Sequence, residues 1–200
     1  MSARPPAPPA RLVLASTSPY RRELLKRLDL DFETYAPEVD ETPHPDEAPE
    51  ALVERLAQAK ARAAAEAFPE ALIIGSDQVA VLEGRILGKP GDGGNARLQL
   101  LHAAGRSVRF VIGLTLLNTA SGRMQADVVP FEVIFRRLTR DQIERYVERE
   151  RPFNCAGSFR SEGLGIALFE RLIGDDPTAL MGLPLIRLTR MLEHEGVRIL

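Results

Sequence analysis

The sequence predicts a mixed fold of the α/β or α+β class, and three observations carry that prediction. An apolar run, Leu12-Val13-Leu14-Ala15, leads through a hydroxyl cluster into a helical pattern, a strand feeding a helix. Two long stretches, 107–118 and 123–136, flank "TASGR" and predict a hairpin of antiparallel strands. Helical spacing returns afterwards, at 139–149 and 184–195, so strands and helices share one chain.

The elements follow in order. A strand is expected near 11–15 and a helix near 19–29, with Ser18 as its N-cap and Pro19 as its first residue. A short strand near 32–36 precedes "PEVDETPHPDEAPE" (37–50), whose four prolines require a loop. A long helix is expected over 49–67, rich in alanine. "ALIIGSDQVAVLEGRIL" reads as a buried strand, a polar interruption, a second strand and a turn at Glu83-Gly84. After a helix near 94–103 and the long hairpin, Thr139 and Gln142 form a capping box for a helix ending near Arg149. A glycine-rich turn region (157–165), a strand near 166–170 and a last helix complete the chain.

Composition limits the function. The 200 residues are 44% hydrophobic and carry a formal charge of −2, which argues against a nucleic-acid partner. No apolar run reaches the length of a membrane span, so no membrane partner is expected. Cys155 is the only cysteine and fits a reducing, cytoplasmic setting. The first ten residues, "MSARPPAPPA", read as a disordered proline-rich tail rather than a signal peptide.

Four features point to chemistry. Arg21 and Arg22 place two cations in the first turn of a helix, where the macrodipole is already positive. An anion resolves the conflict: free N–H groups, two guanidinium groups and the run Ser16-Thr17-Ser18 make a phosphate site. The alternative is a solvated pair costing a few tenths of a kcal/mol. In "IIGSDQV", Asp77 breaks into an apolar strand, where a carboxylate has to be paired, hydrogen-bonded or metal-bound; otherwise it is a turn residue bonding its own backbone. Lys60 shares the helix face of Val53, Leu56 and Ala63, and either snorkels to water or meets an anion. The loop "EVDETP" offers Glu38, Asp40 and Glu41, useful only to a divalent metal completed by substrate phosphates. The three histidines lack metal-ligand spacing, so zinc chemistry is not expected. Cations, hydroxyls and carboxylates together suit hydrolysis of a phosphoanhydride.

"LASTSPYRRELL", "PEVDETP", "LAQAKA", "IIGSDQV", "GKP" and "CAGSFRSEGLG" occur in this order, and the chain resembles the Maf-like nucleotide pyrophosphatases from about Leu12 to the final helix. The resemblance implies one domain over 11–200: an α/β fold with an elongated mixed sheet, flanking helices and two lobes around a nucleotide cleft. It implies cleavage of a nucleoside triphosphate to monophosphate and diphosphate, a divalent cation (Mg or Mn), and a homodimer. Asp77 matches the family's catalytic carboxylate. Ser16, Arg21, Arg22, Lys60 and Lys89 match its phosphate-facing positions, and Glu41 an acidic position holding metal, which Asp77 shares. Tyr20, Gln78 and Glu162 are similar to the 7-methyl-GTP subgroup, which often carries tryptophan where Tyr20 stands; the dTTP/UTP subgroup has arginine, threonine and glutamine there. An aromatic face and a carboxylate suit a cationic N7-methylated guanine. Alternatives implied by the family are pyrophosphatases of dTTP, UTP or other nucleotides, and a nucleotide-binding regulator of cell division.

Overall fold

A computed structural model describes residues 11–200; the expected proline-rich tail, 1–10, lies outside the described residues. Among the described residues seven strands form a single mixed sheet: β1 (Arg11–Ala15), β2 (Glu33–Tyr35), β3 (Ala71–Leu82), β4 (Arg85–Leu87), β5 (Ser107–Asn118), β6 (Met124–Phe135) and β7 (Phe169–Ile173). Their order is β2-β1-β3-β5-β6-β7, with β4 also paired to β3. β1 runs parallel to β2 and β3, while the pairs from β3 to β7 are antiparallel. The α-helices among the described residues are α1 (Pro19–Leu25), α2 (Pro49–Ala65), α3 (Gly93–Ala103), α4 (Arg140–Glu150) and α5 (Leu185–His194).

Local signals set most boundaries. The Ser18 hydroxyl accepts from the Arg21 N–H and Pro19 is the first residue of α1, as its sequence predicts. Both halves of the Thr139–Gln142 capping box form at the start of α4. The α-helical part of the first helix stops at Leu25 and tightens to a 3-10 turn over Lys26–Leu28, closed by Asp29 in the left-handed region.

Two expectations need correction. There is no interruption in 71–82: β3 is one continuous strand, and Ser76 and Asp77 pair in register with Leu114 and Gly113 of β5. The ladder is made by backbone groups, so it tolerates polar side chains that find partners elsewhere. The last strand begins later than expected, at Phe169, because Leu164–Leu168 form a 3-10 turn first.

Alternation along β3 and β5 divides the core. Ile73, Val79, Val81 and Val111 face α2 on one side of the sheet. Gly75 and Gly113 lie on that side too. A Cβ on either would stand 2.1 Å from a carbonyl oxygen of α2, Ala57 or Val53 respectively, so both glycines allow the helix backbone to rest on the strands. The opposite side carries two separate clusters. Leu14, Leu24, Ile74, Leu114 and Leu188 join β1, β3 and β5 to α1 and α5. Leu100, Phe110, Ile112, Phe135, Ile143 and Phe159 join β5 and β6 to α3 and α4. These are the two lobes, and they part between Ile112 and Leu114 of β5, the level at which Asp77 pairs with Gly113.

The sheet opens at the same level. β1 covers one edge of β3 up to Ile74, and β4 takes over only from Ala80. Residues 75–79 therefore face no strand on that edge, and Asp77 sits in the middle of the gap.

Candidate active site

A cavity of about 700 Å³ occupies this gap, a volume within the range of small-molecule sites. Its walls include Ser16, Tyr20, Arg21, Glu41, Lys60, Asp77, Gln78, Lys89 and Glu162. Every site residue expected from the sequence except Arg22 thus faces one space. Arg22 is exposed and does not line it; consecutive helical residues point about 100° apart, so one helix start presents one of the two guanidinium groups.

Lys60 organises the carboxylates. It is 7% exposed, and its Nζ lies 2.6 Å from both Asp77 Oδ1 and Glu41 Oε1. Of the two sequence readings, the anion-meeting one holds and snorkelling does not. The hydrogen bond from Lys60 holds the Glu41 carboxyl below the usual range, helped by the charges of Lys89 and Arg21. Glu41 comes from the proline-rich loop, which Arg55 of α2 fastens by donating to Glu47 and to the Thr42 carbonyl. Asp40 accepts from the Thr42 N–H and shapes that loop, while Glu38 is exposed; neither lines the cavity.

The cationic wall begins where β1 ends. Ser16 Oγ accepts from the Ser18 N–H at 3.1 Å and from Arg21 Nη1 at 3.5 Å. Arg21 Nε donates to the Gly182 carbonyl at 2.8 Å, and burial lowers its pKa against the pull of Asp77 and Glu41. Lys89 is exposed on the segment after β4.

Gly182 is a junction that the sequence reading missed. Its carbonyl also accepts from the buried Ser76 hydroxyl at 2.8 Å, and Gln78 Nε2 donates to the nearby Leu180 carbonyl at 3.0 Å. Gly182 adopts φ +95°, a conformation L side chains rarely take. The only sequence signal was a glycine two residues before Pro184 at the start of the last helix.

Also on the cavity wall, Tyr20 lies beside Cys155, and burial raises both the phenol and the thiol. Glu162 is in the loop after Phe159. Arg160, which nothing within "CAGSFRSEGLG" singles out as functional, has its guanidinium over the Tyr20 ring.

The cavity pairs a cationic wall with two converging carboxylates. Hard oxygen donors of this kind fit a divalent cation, which commonly uses one or two carboxylates and completes its shell with phosphates and water. Among the described residues no group of three or more His, Cys, Asp or Glu side chains gathers, so no all-protein cage is preformed.

Comparison with known proteins bears on the family and the fold. A 7-methyl-GTP pyrophosphatase from Nitrosococcus oceani is 60% identical over 195 residues, covering 98% of each chain. The solved structure of the Staphylococcus aureus Ham1 protein covers 92% of this chain and 99% of its own, with a TM-score of 0.53 and 17% identity, a likeness of fold. Residues 11–195 match the family described as Maf-like protein. The ordered motifs, the gap in the mixed sheet that gathers them and a match over nearly the whole chain have one meaning: the chain belongs to the Maf-like protein family.

Proposed function

We propose that the protein is a nucleoside triphosphate pyrophosphatase that hydrolyses the α–β phosphoanhydride of 7-methyl-GTP to 7-methyl-GMP and diphosphate. One observation carries the reading. A mostly buried carboxylate, Asp77, lies with Lys60, Glu41 and Arg21 in a cavity large enough for a nucleotide. A pure binder gains nothing from a carboxylate facing polyphosphate, whereas a hydrolase needs one to take a proton from water. The name of the relative from N. oceani supports the substrate.

In this reading Ser16, Arg21 and Lys89 orient the triphosphate, and Lys60 turns from its two carboxylates toward the incoming phosphate charge. Asp77 accepts the proton of the water that attacks the α-phosphorus as the bond to the β-phosphate oxygen breaks. Glu41 and Asp77 would hold a divalent cation, Mg or Mn, which when bound neutralises phosphate charge and eases departure of diphosphate. Tyr20 and Glu162 take the base, both favouring a positively charged ring.

We also propose a homodimer and a cytoplasmic setting. Leu172 and Ile173, on the edge strand β7, expose apolar side chains, which supports association. The free thiol of Cys155 supports a reducing compartment. Among the described residues no helix is long and apolar enough to cross a membrane.

The deciding experiment is diphosphate release from 7-methyl-GTP, GTP, dTTP and UTP at equal concentrations with Mg²⁺ or Mn²⁺. The expected result is fastest release from 7-methyl-GTP. Faster hydrolysis of dTTP or UTP would move the protein to the pyrimidine subgroup, and no release from any nucleotide would leave a regulator.

A further inference from the structure

Arg160 binds together the two residues assigned to the base. Its guanidinium carbon stands 5.5 Å from the centroid of the Tyr20 ring. Its Nε lies 3.4 Å from Glu162 Oε1, and its Nη1 lies 3.2 Å from Glu150 Oε1. Tyr20 and Glu162 line the cavity but Arg160 does not, so it reaches both from outside. One side chain thereby links the start of α1 to the loop that carries Glu162.

This link is braced. Glu150, the last residue of α4, also accepts from the Leu164 N–H at 2.9 Å, and the Arg160 N–H donates to the Tyr146 hydroxyl at 3.1 Å. A Cβ on Gly163 would lie 2.6 Å from Glu150 Oε1, and one on Gly165 would lie 2.2 Å from the Arg160 carbonyl oxygen. The two glycines of "EGLG" therefore let the loop close over the ion cluster. Two carboxylates, Glu150 and Glu162, share one guanidinium, so the cluster itself keeps one formal negative charge. A cationic base complements that charge and a neutral one does not.

We propose that Arg160 is a positioning residue for base recognition: its guanidinium clamps the Tyr20 ring and the Glu162 carboxylate into one base-reading surface, braced on Glu150. The inference rests on the 7-methyl-GTP reading of the cavity. A planar guanidinium stacks on an aromatic ring and bridges two carboxylates, whereas an ammonium is a point charge with neither property. Arg160→Lys therefore keeps the charge and removes the clamp.

Two measurements test the proposal. In Arg160→Lys the ratio of kcat/KM for 7-methyl-GTP over GTP should fall about 3- to 10-fold, mainly through a higher KM for 7-methyl-GTP. A general structural defect would lower both nucleotides alike. The second measurement needs no nucleotide. Cys155, the only cysteine, sits partly buried beside Tyr20, so releasing the ring should speed its labelling by an aromatic disulfide reagent several-fold. An unchanged ratio together with unchanged labelling overturns the clamp. If the wild type does not prefer 7-methyl-GTP to GTP, the substrate reading fails and the clamp stands or falls on the labelling rate.

Discussion

Gly75→Ala tests whether the chemistry depends on how closely α2 rests on the sheet. The added methyl would stand 2.1 Å from the Ala57 carbonyl oxygen and 3.0 Å from the Ala61 nitrogen, both backbone atoms of α2. Ordinary contact starts at 3.4 Å, so the helix has to retreat by roughly an ångström. Between Ala57 and Ala61 lies Lys60, whose Nζ is 2.6 Å from Asp77. Overpacking of this kind costs about 1–3 kcal/mol. At about 2–4 °C per kcal/mol for a chain of this length, the unfolding midpoint should fall by about 2–12 °C. A displacement of about 1 Å near reacting groups costs on the order of 100-fold in rate. The assay is thermal unfolding beside kcat/KM for diphosphate release, measured well below the midpoint of the variant. A variant with wild-type stability and wild-type kcat/KM would refute the reasoning, because the helix would then have absorbed the methyl without moving Lys60.

Four further outcomes follow from the same geometry. Asp77→Asn keeps the shape and removes the base, so turnover should drop at least about 100-fold while circular dichroism shows an intact fold; near-normal turnover would exclude Asp77 from the chemistry. Arg21→Ala should raise the KM for nucleotide about 10-fold or more, whereas exposed Arg22→Ala should change it less than about 2-fold, as equilibrium binding can check. Tyr20→Ala and Glu162→Gln should each lower the kcat/KM ratio of 7-methyl-GTP over GTP by about 2- to 30-fold, and an unchanged ratio in both would place base reading elsewhere. The hydrogen bond from Arg55 holds the Glu47 carboxyl at about 2 against an ordinary 4.5, so the stability it lends is complete above 4.5 and is lost as pH falls toward 2. The gap in unfolding midpoint between wild type and Glu47→Gln should therefore be constant above about pH 5 and shrink in acid.

Much of this architecture was legible because short-range physics set it. Ser18-Pro19 and the Thr139–Gln142 box start helices through hydrogen bonds within one turn, and the hairpin strands declared themselves by length. The same local reading failed at Ser76-Asp77, where polarity implied a break. The partners that let those side chains stay in a strand, Lys60 and the Gly182 carbonyl, are distant in sequence. Periodicity puts Lys60 on its helix face, but the choice between water and a carboxylate depends on the neighbouring strand.

The sequence by itself determined the helices and their starts, the long hairpin, the family motifs and the residue types of a phosphate site, since these follow from caps, spacing and side-chain chemistry. Only the tertiary structure decided that Arg21 and not Arg22 faces the cavity, that Gly75 and Gly113 seat α2 on the sheet, and that Arg160 joins Tyr20 to Glu162. Each of those depends on the distance and direction between elements far apart in the chain. Such distances are set by packing the whole core, which no local pattern encodes.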